Sequence, residues 1–206
     1  MKKVIQFVVL FFAAILVFSC TKNEGDTKPL DPKPECITIN SQFNNLYAGL
    51  LASTTNPIYQ NLITYDSEIH SYTFEVSSNQ TICSVGYQSQ LAIANIPYVI
   101  EIFDVSANQI IYSGSHIFSA TSTSFVTLNI PVNLAATRSY IIKRIQSNYA
   151  PISISSTIGR VATNVTGAPL SLPFSNGILK ITGTKLYQNA AVVTNQYLPY
   201  IDIVFK

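Results

Sequence analysis

The stretch HSYTFEVSSNQTICSVGYQ, His70 to Gln88, decides how the rest of the chain reads. Tyr72, Phe74 and Val76 alternate with Ser71, Thr73 and Glu75. Extended backbone sends successive side chains to opposite faces, so this order makes one apolar face and one polar face. A helix would scatter the same residues around its circumference. Ser78-Asn79-Gln80 interrupts the run with turn formers, and TICSVGYQ (81–88) resumes it with residues suited to a pleated surface. Period two is the signature of strands in half-buried sheets.

The pattern repeats outward from there. In PYVIEIFDV (97–105), Tyr98, Ile100 and Ile102 share one face, and Val99, Glu101 and Phe103 the reverse. QIIYSGS (109–115) follows through Ser106-Ala107-Asn108, which predicts a hairpin. TSFVTLNI (123–130) offers Val126, Leu128 and Ile130 as inward residues, closed by Pro131, and SYIIKRIQ (139–146) is a further strand. In YIDIVFK (200–206), Ile201, Ile203 and Phe205 oppose Tyr200, Asp202, Val204 and Lys206. Asn176-Gly177 carries the strongest short hairpin signal, because both residues tolerate positive φ. Strands at this short spacing, separated by Gly, Pro, Asn and Ser, predict an all-β fold. The expectation is an antiparallel two-sheet β-sandwich, with a jelly roll as the specific candidate, rather than parallel βαβ units. Phe43 to Ala52 is the one place where a short helix fits, although periodicity does not settle it. No solenoid or propeller repeat is present.

Charged residues make up 11% of the chain, against roughly 25% in an ordinary soluble domain. The polar remainder is mainly Ser, Thr, Asn and Gln, which suits hydroxyl- and amide-coated sheet faces. From Cys36 onward seven basic and six acidic side chains remain, with no basic stripe, so nucleic acid is not an expected partner.

The amino terminus has a different character. MKK precedes an apolar run of fifteen residues, Val4 to Phe18, broken only by Gln6. A spanning helix needs about 20 apolar residues, so this run fits the core of a signal peptide better. Val17-Phe18-Ser19-Cys20 resembles the lipobox of bacterial lipoproteins, in which an aliphatic, a variable and a small residue precede an invariant Cys. The resemblance implies a signal peptide over residues 1–19, with Cys20 as the first mature residue, acylated through its sulfur and amine. An ordinary secretory signal or an uncleaved anchor is the alternative. Thr21 rather than Asp after the cysteine implies sorting to the outer membrane, and KNEGD (22–26) is similar to short acidic signals for surface display. Residues 20–35, with three prolines among alternating charges, read as a disordered tether. Residues 36–206 then form a single domain, large enough for its own core.

The run from Tyr72 to Ile145 is also similar to a general pattern among bacterial extracellular accessory domains. Gly86-Tyr87, Tyr98 to Asp104, Val126 to Leu134 and Tyr140 to Ile142 carry the likeness. It implies a β-sandwich displayed on the cell surface, without catalysis of its own.

Catalytic patterns are absent from the sequence. His70 and His116 are the two histidines, and neither HExxH, CxxC nor GxSxG occurs. Glycoside hydrolysis needs two carboxylates across one bond. The candidates Asp66, Glu68, Glu75, Glu101, Asp104 and Asp202 read more simply as outward residues, and a hydrolase ranks last. No cofactor or metal ligand set is expected, apart from a structural calcium at Phe103 to Gln109, which supplies only Asp104. Tyr149, Tyr197 and Tyr200 are the candidate ligand contacts, since stacking on sugar rings needs exposed aromatics and Trp is absent. Lys143 and Arg144 are adjacent in a strand, so one of them points inward or to an edge and needs a partner, with Glu101 or Asp104 as candidates. Cys36 and Cys83 are an even pair in an oxidising compartment and candidates for a disulfide, although Cys83 reads equally as a small buried residue. The expected function is a lipid-anchored, non-catalytic binding or structural module of the outer membrane or cell surface. Its partner would be a glycan or a surface protein, and the alternative is a glycan-binding accessory lipoprotein of a polysaccharide-uptake system.

Overall fold

The computed structural model describes residues 35–39, 41–63, 67–89, 95–147, 159–188 and 191–206. Cys20, the tether, Asp66 and Tyr149 lie outside the described residues. Among the described residues one helix, α1 (Gln42–Ala52), precedes strands β1 (Tyr59–Leu62), β2 (Ile69–Val76), β3 (Gln80–Tyr87), β4 (Tyr98–Asp104), β5 (Gln109–His116) and β6 (Ser124–Leu134). Then follow β7 (Ser139–Gln146), β8 (Val161–Asn164), β9 (Phe174–Asn176), β10 (Leu179–Gln188), β11 (Ala191–Thr194), β12 (Tyr197–Pro199) and β13 (Asp202–Phe205).

The pairing is that of a jelly roll. β1 pairs β8, β2 pairs β7, β3 pairs β6 and β4 pairs β5, all antiparallel, like a long hairpin rolled across two sheets. One sheet carries β2-β7-β4-β5, extended at the β2 side by β10 and β11, with β9 also on β10. The facing layer consists of β1-β8-β12 and β13-β3-β6. It is split where the chain passes through Tyr200-Ile201 from β12, which pairs with β8, to β13, which pairs with β3. The turn after β2 therefore crosses between sheets instead of closing a hairpin.

Alternation decides the core. Tyr72, Phe74 and Val76 of β2, Tyr98, Ile100 and Ile102 of β4, and Tyr140 and Ile142 of β7 are all buried and belong to one continuous cluster. Ile82, Val85, Ile201 and Ile203 meet them from the opposite layer. α1 contributes Phe43, Leu46 and Tyr47, spaced so that one helical stripe faces inward. The Phe43 ring stacks on Tyr72 at 5.1 Å and meets Tyr200 edge-on at 5.4 Å.

Two local expectations shift. The hairpin at Asn176-Gly177 forms, but Asn176 pairs with Leu179, so the two loop residues are Gly177 and Ile178. Of these, Gly177 has positive φ (56°), as a turn with glycine at its first central position requires. Pro131 does not close the strand that precedes it. The pairing of β6 with β3 jumps from Thr127 to Val132, and Pro131 sits in this excursion of an edge strand, where no ladder bond is lost. The excursion leaves Ile130 68% exposed, whereas Leu128, Val132 and Leu134 are buried.

Glu35–Lys206 form one compact unit. Cys36 and Cys83 are joined by a disulfide that closes a sequence separation of 47. Restricting a loop of that length in the unfolded chain stabilises the fold by roughly 4 kcal/mol.

Candidate functional site

The outer face of the larger sheet holds two ion pairs across neighbouring strands. Glu101 and Lys143 are register partners on β4 and β7, with Lys143 Nζ 3.1 Å from Glu101 and 5.7 Å from the Phe103 ring centre. Glu75 and Lys180 pair likewise between β2 and β10 at 3.1 Å. Asp104, at the end of β4, is buried, and its two oxygens are engaged by the Ala107 N–H (2.9 Å) and by Arg138 (3.1 Å). The loop proposed for calcium is thus a hairpin turn braced by its own aspartate.

Arg144 is the member of the basic pair that points inward. It is 1% exposed and lies beside His70 on β2 and Ile100 on β4. Neither expected carboxylate reaches it. Its guanidinium instead lies between the rings of Tyr87 (5.3 Å) and Tyr98 (5.2 Å) and donates to the Ser67 carbonyl at 3.1 Å. Aromatic faces supply negative potential where water is excluded. Burial, reinforced by the Arg144 charge, holds the His70 imidazole well below its ordinary pKa, so the ring is neutral. Gly159 lies against both neighbours, because a Cβ there would sit 2.7 Å from His70 Cε1 and 2.8 Å from Tyr87 Oη.

A second polar centre forms where the facing layer splits. Asp202 is fully buried and accepts a hydrogen bond from Ser41 Oγ at 2.5 Å. Ser41 Oγ in turn accepts the Asn44 N–H at 2.9 Å, which makes it the N-cap of α1. Tyr200 Oη lies 3.0 Å from Asn44 Oδ1 and 3.4 Å from Asp202 Oδ2, and the Arg160 guanidinium covers the Tyr200 ring at 3.7 Å. Desolvation pushes the Asp202 carboxyl up to about 6, with the hydrogen bonds from Ser41 and Tyr200 and the Arg160 charge acting in the opposite direction. The Tyr200 hydroxyl is pushed up to about 12, chiefly by burial.

Tyr200 is therefore not a surface platform. It is 4% exposed, because α1 and Arg160 close over it. Tyr197, on β12, is half-buried. His116 lies on the edge strand β5, 2.7 Å from Tyr112 Oη, with its pKa lowered by desolvation and no carboxylate bonded to it. Among the described residues no three His, Cys, Asp or Glu side chains gather, and no helix is long and apolar enough to cross a membrane.

The open surfaces are shallow. A groove of about 330 Å³ between α1 and β9 has Leu46, Leu50 and Phe174 as its floor and Asn45, Ser175 and Asn176 at its rim. Gly49 faces open space there, which keeps the helix side of the groove wide. Sequence reasoning missed this groove and the Asp202 centre, because both join segments more than 100 residues apart. The one local sign is Asp202 itself, an acid in the middle of an apolar run. The chain matches no protein-family model, and none of the curated proteins is significantly similar to it.

Proposed function

We propose that this protein is a lipid-anchored, non-catalytic binding module displayed on the outer membrane or cell surface. The observation that carries the reading is the dispersal of Glu75, Glu101, Asp104 and Asp202. Each is engaged by a cation, a hydroxyl or a backbone N–H that braces the sandwich, and no two of them face each other across a cleft. The lipobox-like Val17 to Cys20 supports the anchor, and the proline-rich segment after it supports a tether between the lipid and the domain. Labelled palmitate is expected to enter the wild-type protein and not Cys20→Ser, and equal labelling of both would sink the anchor.

A second reading gives the module its ligand. The groove between α1 and β9 combines an apolar floor with amide and hydroxyl groups at its rim. That is the chemistry with which proteins hold neutral sugars, in which C–H faces pack on carbon and hydroxyls meet amides. On a glycan array the wild type is expected to retain a neutral oligosaccharide and Asn176→Ala to lose at least tenfold in affinity. Retention of nothing, or equal retention by the variant, counts against this reading.

A further inference from the structure

The pole of the sandwich at which the described chain begins carries an apolar surface that no contact within the domain covers. Ile37 is 62% exposed and Ile39 is 76% exposed. They border a shallow groove of about 250 Å³ whose other walls include Ile178, Val204 and Phe205, with Lys206 at its edge. The segment bearing them is fixed in place, because Cys36, one residue before Ile37, is bonded to Cys83 in the middle strand of its sheet. Residues 1–34 lie outside the described structure and end three residues before Ile37.

From these observations we propose that this pole docks on the lipid bilayer, with Ile37, Ile39 and Phe205 inserted at the acyl boundary and Lys206 at headgroup level. The inference rests on the lipid-anchor reading given above. The fifteen residues from Cys20 to Pro34 reach at most roughly 50 Å, so the point where they join the domain stays within that distance of the lipid. The surface where the tether begins is thus the part of the domain that meets the membrane most often. Attachment makes docking intramolecular, so a patch too small to hold a free protein on a vesicle suffices to orient a tethered one. Docking here faces the carboxyl ends of β3, β5 and β7, at the opposite pole, away from the lipid.

The chain contains no tryptophan, so a single introduced indole reports its own depth. The full-length lipidated protein with Ile39→Trp is reconstituted in phosphatidylethanolamine–phosphatidylglycerol vesicles with brominated acyl chains. Ile117→Trp, at an exposed position beyond the far end of β5, is the control. Flotation and quenching are read on the same samples. Docking predicts that both variants float and that bromine removes more than half of the emission from position 39 and less than a tenth from position 117. Flotation with equal, weak quenching at both positions overturns docking and leaves the anchor standing. Failure to float overturns the anchor and docking with it. A blue-shifted, unquenched indole at position 39 with a doubled mass assigns the patch to a second copy of the chain and overturns docking in favour of dimerisation.

Discussion

Asp202 shows how far a single side chain departs from its solution behaviour once the fold surrounds it. Its folded pKa of about 6 lies above the ordinary value of 3.8, so the folded state binds a proton that the unfolded state has released between those limits. The sign follows directly: this group favours folding below pH 4, and that contribution is lost as pH rises towards and through 6. A shift of this size corresponds to roughly 3 kcal/mol. Asp202→Asn keeps an acceptor for Ser41 and removes the titration. Urea denaturation at pH 4 and pH 7.5 is expected to show the wild type losing roughly 2 kcal/mol relative to the variant over that interval, since part of the effect lies below pH 4. Parallel pH profiles would contradict the burial argument. His70, held neutral by the fold, contributes the opposite slope below its ordinary pKa of 6.5, but equally in both proteins, so the comparison cancels it.

The helix α1 is tied to the sheets by its cap as well as by its packed face. Ser41 serves two structures with one hydroxyl, accepting from Asn44 and donating to Asp202. Ser41→Ala is expected to cost about 1 kcal/mol for the cap and about 1–3 kcal/mol for the orphaned buried acceptor, read as a lower urea midpoint. Ser41→Thr should restore most of it, and a loss below about half a kcal/mol, the size of an ordinary surface substitution, would show that the hydroxyl does not couple the two elements. At this scale much was legible in the sequence. Strands 70–76, 98–104 and 139–146 follow from alternation, as does the fact that Lys143 and Arg144 face opposite ways, because a strand has only two faces; that Arg144 is the inward one comes from the fold. What failed was the partner of Arg144, since aromatic faces replaced the carboxylate, and the position of Tyr200. Alternation assigns a residue to a face of its strand but is silent on whether a second element covers that face. Ile130 failed for a related reason: a long excursion breaks the alternation on which its placement depended.

For the whole molecule, the nested pairs β1·β8 to β4·β5 explain why a chain with few helix formers and few charges closes on itself. Rolling the hairpin buries one face of each strand, and the polar face, coated with Ser, Thr and Asn, needs little charge to meet water. The sandwich was readable from strand spacing. The pairing of β12 with β8 and of β13 with β3, and the division of the facing layer between them, were not, because strand order depends on contacts that span the chain. The disulfide has a mechanical meaning as well. Load arriving through the residues before Cys36 passes across the sulfur bridge into β3, which is flanked by β13 on one side and β6 on the other. Residues 37 to 41 are bypassed and carry no tension. A pull from the anchor is therefore resisted by two hydrogen-bonded ladders at once, instead of unzipping the domain strand by strand from its amino-terminal end.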